Sequence, residues 1–150
     1  MTHINGLAMT TLDLAMLLTV AACGIGEGPA SPVVLEGELR TIGNAVLITG
    51  SAAAVSRGDR TQATIAIHGA DPESTYVWRL RVDRCSAPGT VVGGLAAYPP
   101  LLTDEAGEAA AEATLTEPLR RGHEYHAIVL TAAPPQTPVA CGDLEPFSSP

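Results

Sequence analysis

The chain has 150 residues, 46% of them hydrophobic, which suffices for one domain with a single core and excludes disorder over most of the length. Aromatic residues make up only 3%, so we expect a core of valine, isoleucine, leucine and alanine. Sixteen acidic residues, eight arginines and no lysine give a net charge of −8, and such a surface repels phosphate. We therefore expect no nucleic acid among the partners.

The first recognisable segment is the apolar run of residues 14–22, which is followed by Cys23. The run is too short to span a bilayer and has the length of the hydrophobic region of a secretory signal. Its end, Val20-Ala21-Ala22-Cys23, resembles a bacterial lipobox, whose cysteine is acylated and becomes the new N-terminus. The resemblance implies a signal peptide at residues 1–22 and lipidation of Cys23. A buried N-terminal helix with a free thiol is the alternative.

Residues 23–32 are rich in glycine, proline and serine, which is typical of a flexible tether. The remaining residues, 33–150, have room for one domain only. Together these segments predict an exported protein that is anchored to the bacterial membrane through a lipid on Cys23. The domain would face the periplasm or the cell surface.

From residue 33 onward the chain consists of short segments rich in valine, isoleucine, threonine and leucine, separated by glycine, proline, aspartate and serine. This pattern is typical of an antiparallel all-β domain. The predicted strands are residues 33–39, 44–53, 61–68, 76–84 and 124–132, and the predicted turns are residues 56–60, 69–74 and 118–122. Prolines at positions 134, 135 and 138 then predict an extended loop that leads to Cys141.

Residues 76–84 show the clearest alternation of side-chain character. One face of this segment carries Trp78, Leu80 and Val82, and the other carries Val77, Arg79, Arg81 and Asp83. Because successive side chains of a strand point to opposite faces, we expect the first set in the core and the second in water.

Residues 104–116 allow two interpretations. The alanine-rich stretch favours helix by composition, but a helix here would offer the core little more than alanine and Leu115. A strand would place Ala109, Ala111, Ala113 and Leu115 on one face. We therefore predict a strand, and with it an all-β Greek-key sandwich or flattened barrel of about seven or eight antiparallel strands.

Four landmarks occur in the order in which the Cu,Zn superoxide dismutase family has them. They are the Gly69 turn before a strand that ends near Cys85, the Asp-x-x-Gly turn of residues 104–107, Gly122 before a strand, and Val139-Ala140-Cys141-Gly142. Over roughly residues 44–144 the chain thus resembles a superoxide dismutase-like domain. The resemblance implies the fold of that family and a disulfide between Cys85 and Cys141, which suits an exported protein.

The resemblance also implies where metal would bind, and this chain differs there. Arg79 and Arg81 occupy the positions of two copper-binding histidines, and a guanidinium cannot lose its proton to coordinate copper. Residues 86–103, where the family has most of its zinc ligands, contain no histidine. Pro138 stands in place of an arginine that guides the anionic substrate. We therefore expect no metal cofactor and no redox catalysis.

The remaining polar candidates are three histidines and the two arginines. His68, His123 and His126 are weak candidates for copper if they converge, and otherwise are ordinary surface histidines. Arg79 and Arg81 share a face of their strand and suit a small anion. The alternative for the arginines is cross-strand pairing with an acid such as Asp83, Glu112 or Glu124.

These patterns predict a non-catalytic, exported superoxide dismutase-like lipoprotein that acts as a binding or structural module of the bacterial envelope. Its partner would be an envelope protein or a small ligand. One alternative is a superoxide dismutase or copper-binding protein with a rearranged metal site. The other alternative is an immunoglobulin-like surface adhesion or scaffold domain.

Overall fold

The computed structural model describes residues 31–43 and 47–148, so the predicted signal peptide, Cys23 and most of the predicted tether lie outside the described residues. The strands are β1 (Val33–Thr41), β2 (Thr49–Arg57), β3 (Arg60–His68), β4 (Thr75–Val82), β5 (Leu101–Leu102), β6 (Ala109–Leu115), β7 (Tyr125–Thr131) and β8 (Pro138–Pro146). A single helical turn of the 3-10 type, Leu95–Ala97, lies between β4 and β5. No helix within the described ranges is long and apolar enough to cross a membrane.

The eight strands form one antiparallel sheet in the order β5-β4-β7-β8-β1-β2-β3-β6. β5 lies against β6, so the sheet nearly closes into a barrel. The connections from β3 to β4 and from β6 to β7 pass between strands that are not neighbours, which gives Greek-key connectivity. The predicted all-β class is therefore confirmed.

β2 and β3 form a hairpin that is tighter than the sequence pattern predicts. The predicted turn of residues 56–60 shrinks to Gly58 and Asp59, because β2 continues to Arg57 and β3 begins at Arg60. Gly58 has φ 59°, which fits the first central position of a type II′ turn. The predicted start of β2 at residue 44 is wrong in its described part, since the strand begins at Thr49.

β6 confirms the choice of strand over helix for the alanine-rich stretch. Its side chains alternate along the strand: Ala113 and Leu115 are buried, Ala109 and Ala111 are half-buried, and Ala110, Glu112 and Thr114 are exposed. The strand pairs with β3 along its whole length, and Ala63 lies directly opposite Ala113. Small side chains suit this position because they face the barrel interior across from one another.

β8 is the longer of the two strands that the sequence analysis missed, the other being the two-residue β5. The prolines after β7 were predicted to form a loop that delivers Cys141, but Cys141 lies inside a nine-residue strand between β7 and β1. Of the three prolines that argued for a loop, Pro134 and Pro135 precede β8 and Pro138 is its first residue. Proline is tolerated at strand ends, where no ladder hydrogen bond depends on its missing N–H.

The barrel interior holds the main core, and its largest fully buried side chain is Trp78 on β4. The indole Nε1–H of Trp78 donates to Pro99 O at 2.9 Å, and the ring of Tyr98 meets the indole edge-on at 5.0 Å. The predicted inward face of β4 is confirmed in Trp78 and Leu80, which are 1% exposed, whereas Val82 is half-buried. A second, smaller apolar cluster lies outside the barrel, on the opposite face of β4, β7 and β8.

Candidate functional site

The outer face of β4, β7 and β8 carries the residues that the sequence analysis singled out. Residues directly opposite one another in an antiparallel pair lie on the same face. One row across the three strands is therefore Arg81, His126 and Asp143, and the next is Arg79, Ile128 and Cys141. The two arginines thus lie outside the barrel, as the alternation of β4 predicts.

The disulfide between Cys85 and Cys141 is formed, with the two Cα atoms 6.0 Å apart. It ties the segment of residues 83–91, which follows β4, to β8. The backbone N–H of Cys85 also donates to Asp143 Oδ1 at 2.7 Å. With Ile128 and Leu130 the disulfide forms the small outer cluster, so this segment is fixed over the outer face.

Arg84, to which the sequence analysis gave no role, is the ionic centre of this region. Its Nε donates to Glu124 Oε1 at 2.7 Å, and its Nη atoms lie 3.7 Å from Glu145 and 3.9 Å from Asp143. The hydrogen bond to Glu124, together with the negative charges nearby, raises the pKa of Arg84. Arg84 directly precedes a cysteine that the resemblance pairs in a disulfide, and this position is the sequence signal that could have marked it as a structural residue.

Arg79 and Arg81 are held by backbone carbonyls and not by acids. Arg79 Nη1 donates to Trp78 O at 2.8 Å, with its guanidinium 5.9 Å from the centre of the Tyr98 ring. Arg81 Nη1 donates to Pro88 O at 2.8 Å. Among the described residues, neither guanidinium has a carboxylate within 4.0 Å.

The cross-strand pairing with acids that was one alternative for these arginines is therefore wrong. The acids proposed as partners have other contacts: Glu112 accepts from Gln62 Nε2 at 2.8 Å, and Glu124 accepts from Arg84. Asp83 follows the end of β4 and uses its backbone carbonyl to bind His126. The positive charges of Arg79 and Arg81 are left without an acidic partner in the described part of the chain.

His126 is fully buried beneath the segment of residues 83–91, so its interpretation as a surface histidine is wrong. Its Nδ1 lies 2.7 Å from Asp83 O, and since a carbonyl only accepts, Nδ1 carries the proton. Nε2 of His126 and Nε of Arg81 are buried without a hydrogen-bond partner. Gly89 (φ 54°) covers the ring, and a Cβ there would collide with Val82 O and lie 3.2 Å from His126 Cε1.

The other two histidines lie elsewhere. His68 ends β3 at the far end of the barrel, where its Nδ1 is 3.3 Å from Glu108 Oε1, and its side chain is exposed. His123 is exposed before β7, with its ring centre 6.5 Å from that of Tyr125. Within residues 31–43 and 47–148, no group of three or more His, Cys, Asp or Glu side chains is placed to hold a metal ion.

The donors on the outer face do not fit the copper site that the resemblance implies. Copper in such a site needs several neutral imidazoles. The row that contains His126 supplies one imidazole, one arginine and one aspartate, and Asp143 already accepts from Cys85. Fixed positive charge from Arg81 also opposes a cation at this position.

An open groove of about 880 Å³ lies on the outer face of the other half of the barrel, across β1, β2, β3 and β6. Its floor is made of small side chains, and its acidic side chains are Glu36, Glu38 and Glu112. Gln62, which holds Glu112, is exposed beside it. Sequence reasoning did not single out this surface, because its residues come from four strands.

A comparison with protein-family models finds none that matches, and a comparison with curated proteins finds no match either. Function is therefore inferred from the residues of the outer face and from the chain that leads to the barrel.

Proposed function

We propose that this chain is an exported, lipid-anchored, superoxide dismutase-like β-domain without catalytic activity. It serves as a binding or structural module of the bacterial envelope, and its partner is an envelope protein or a small ligand. Cys23 provides the membrane anchor, residues 23–32 provide the tether, and the barrel is the binding or structural module.

One observation carries the proposal: the outer face of β4, β7 and β8 has arginines where the resemblance places copper-binding histidines. Both guanidinium groups are held by backbone carbonyls, so positive charge is fixed on this face. A permanently protonated guanidinium cannot coordinate copper. Among the described residues, His126 alone offers an imidazole on this face, and His68 lies at the far end of the barrel.

The disulfide supports both the resemblance and export. Cys85 and Cys141 are the two cysteines that the superoxide dismutase landmarks pair, and such bonds persist in oxidising compartments. An immunoglobulin-like adhesion domain would not be expected to have the superoxide dismutase landmarks in this order. A rearranged copper site would need His68, His123 and His126 to converge on one ion. The three histidines do not converge, because His68 lies at the far end of the barrel.

The test of the non-catalytic role is to incubate the purified full chain with copper and zinc, remove loosely bound ions, and measure bound metal and superoxide dismutation. We expect well under one copper per chain and no dismutation above that of the buffer. Stoichiometric copper with fast turnover would refute the proposal.

The matched variant Arg79→His/Arg81→His replaces both guanidinium groups with imidazoles beside β7. With His126 it places three imidazoles on neighbouring strands, so we expect copper affinity to rise at least about tenfold. The disulfide and the far-ultraviolet circular dichroism spectrum check that the variant is folded. Unchanged affinity in a folded variant would show that the arginines are not what excludes copper.

The anchor is tested separately by growing expressing cells with a clickable fatty-acid analogue. We expect the label on the chain, and its loss in Cys23→Ser, because the acyl group would be carried by that thiol. A chain without label would refute the lipid anchor and leave the metal experiment unaffected.

A further inference from the structure

Residues 83–91, which we call the cover, lie over the outer face and bury His126, but none of their own side chains is buried. Cys85 packs against the small outer cluster, and the other side chains of the cover are exposed or half-buried. A segment with so little buried apolar surface opens at a low cost in free energy unless another bond holds it.

The closed cover leaves two polar atoms of the outer face without partners. Nε of Arg81 and Nε2 of His126 are both buried and make no hydrogen bond, and the two residues lie directly opposite one another on β4 and β7. Burying such groups without partners is unfavourable, because they lose their bonds to water. Lifting the cover would return water to both atoms.

The backbone at the start of the cover also favours opening. Asp83 has φ 76°, in the left-handed region that residues other than glycine seldom adopt. It is kept there by two hydrogen bonds, since its N–H donates to Glu124 O at 2.9 Å and its carbonyl accepts from His126 Nδ1 at 2.7 Å. The strained conformation is thus tied to the closed position.

The non-covalent contacts that oppose opening lie in reach of water. Arg81 Nη1 donates to Pro88 O, and Val82 N–H donates to Thr90 O at 2.9 Å. The ion pairs of Arg84 involve a side chain that is 51% exposed, and ion pairs of that kind contribute little. The disulfide to β8 is the tie that water cannot replace.

We propose that the Cys85–Cys141 disulfide is a redox switch: it holds the cover closed, and its reduction by a dithiol exposes Arg81 and His126 while the barrel stays folded. The main core lies on the inner face of the strands, so opening the cover leaves that core intact. The inference rests on the disulfide and on the buried histidine, and it requires neither the lipid anchor nor the superoxide dismutase resemblance.

The reduction begins at Cys85, because its side chain is partly exposed whereas Cys141 is 6% exposed. A thiolate of the dithiol attacks Sγ of Cys85, the disulfide breaks, and Sγ of Cys141 leaves as a thiolate that takes up a proton. The second sulfur of the dithiol then attacks the mixed disulfide and releases Cys85, which is protonated in turn. Two electrons pass from the dithiol, which becomes a disulfide, to the two cysteines.

The test compares the oxidised and reduced forms of the full chain carrying Cys23→Ser, in which Cys85 and Cys141 are the remaining cysteines. The chain is reduced with dithiothreitol, freed of it under argon and labelled with diethyl pyrocarbonate. This reagent acylates an imidazole nitrogen that has a lone pair, which in His126 is Nε2. We expect labelling of His126 to rise at least about tenfold on reduction.

Exposed His68 and His123 are internal references, and their labelling should be the same in both forms. Trp78 is the single tryptophan and lies in the core, so its unchanged fluorescence shows that the barrel is folded. Reoxidation should restore the protection of His126. The variant Cys85→Ser/Cys141→Ser, which lacks the bond without any reductant, should be labelled like the reduced chain.

Three results would overturn the proposal. The first is a His126 that stays protected in the reduced, folded chain, and the second is a His126 that already reacts like His68 in the oxidised chain. The third is exposure of Trp78 on reduction, because the disulfide would then hold the whole barrel together and not the cover alone. Metal binding is measured on the oxidised chain, so each of these results leaves the proposed function standing.

Discussion

Tyr98 lies on the segment between β4 and β5, with its ring against Trp78 and its hydroxyl donating to Val92 O at 2.6 Å. Burial raises the pKa of Tyr98 to about 12, because the phenolate would lose its hydration there. In a chain with 3% aromatic residues, this pair supplies much of the large-ring packing in the core.

Stability should therefore fall at high pH. An unfolded tyrosine releases its proton near pH 10, whereas folded Tyr98 holds it to about pH 12. Between these values the folded state binds more protons, so the free energy of unfolding decreases as pH rises, by a total of roughly 2–3 kcal/mol. Burial also raises the pKa of Tyr76, which adds to the slope.

Tyr98→Phe isolates this contribution. The variant loses one buried hydrogen bond and should be about 1 kcal/mol less stable at pH 7, but its stability should decline less between pH 10 and 12. Urea unfolding across that range measures both effects. An unchanged slope would contradict the assignment to Tyr98.

At the residue scale, the sequence predicted which way a side chain points better than it predicted which atoms that side chain binds. The alternation of residues 76–84 placed Arg79 and Arg81 on the outer face, because a strand has a period of two. Arg79 binds Trp78 O, the carbonyl of the residue before it, and Arg81 binds Pro88 O, whose position depends on how residues 83–91 fold back over this face. For the same reason the burial of His126 under residues 83–91 could not be predicted.

The hairpin of β2 and β3 shows a local conflict at the scale of an element. Its two-residue turn places Arg57 and Arg60 opposite one another, although like charges in such a pair repel. A tight turn with Gly58 at positive φ sets the register, and the register then fixes this pairing.

Arg60→Glu converts the repulsive pair into an attractive one. We expect the free energy of unfolding to rise by about 0.5–1 kcal/mol at low salt and the gain to shrink at high salt. Urea unfolding at two salt concentrations measures it, with Arg60→Gln, which removes the repulsion without adding an attraction, as the control that should gain less. A destabilised Arg60→Glu variant would contradict the pairing.

Elements were predictable where burial decided between alternatives. For residues 109–115 a helix would have buried almost nothing but alanine, and the strand lets Ala113 and Leu115 face the core. β8 was missed because three prolines before Cys141 suggested a loop. Residues 138–146 form a central strand only because they pair with β7 and β1. Such long-range pairing leaves little local signal in the sequence.

At the scale of the whole molecule, the disulfide joins residues that are 56 positions apart in the sequence. It links residues 83–91, which lie over the outer face, to β8 in the middle of the sheet. Closing a loop of this length stabilises a fold by about 4 kcal/mol in the chain-entropy model. That is a large share of the stability of a domain of this size.

Cys85→Ala/Cys141→Ala should therefore lower the free energy of unfolding by about 4 kcal/mol. Urea unfolding measures the loss, and the parent chain unfolded in reductant is the control that should show a similar decrease. A loss below about 1 kcal/mol would mean that strand pairing alone holds residues 83–91 in place.

The arginines are unevenly distributed over the barrel. Five of the eight lie at the end where β1 and β3 begin, although Arg57 and Arg121 are far apart in the sequence. Six acidic residues lie at the same end, namely Asp59, Asp83, Glu117, Glu124, Asp143 and Glu145. The sequence showed an acidic protein with eight arginines, but only the strand order places most of those arginines at one end.

The central proposal is that the outer face of β4, β7 and β8 carries fixed positive charge where the superoxide dismutase resemblance places metal ligands. The most direct measurement is the ¹⁵N nuclear magnetic resonance spectrum of the imidazoles during titration with copper(II). We expect His126 to keep its proton on Nδ1 and its signals to stay sharp, since Arg79 and Arg81 leave it without fellow ligands. Broadening of His126 together with other histidines, at one copper per chain, would contradict the account.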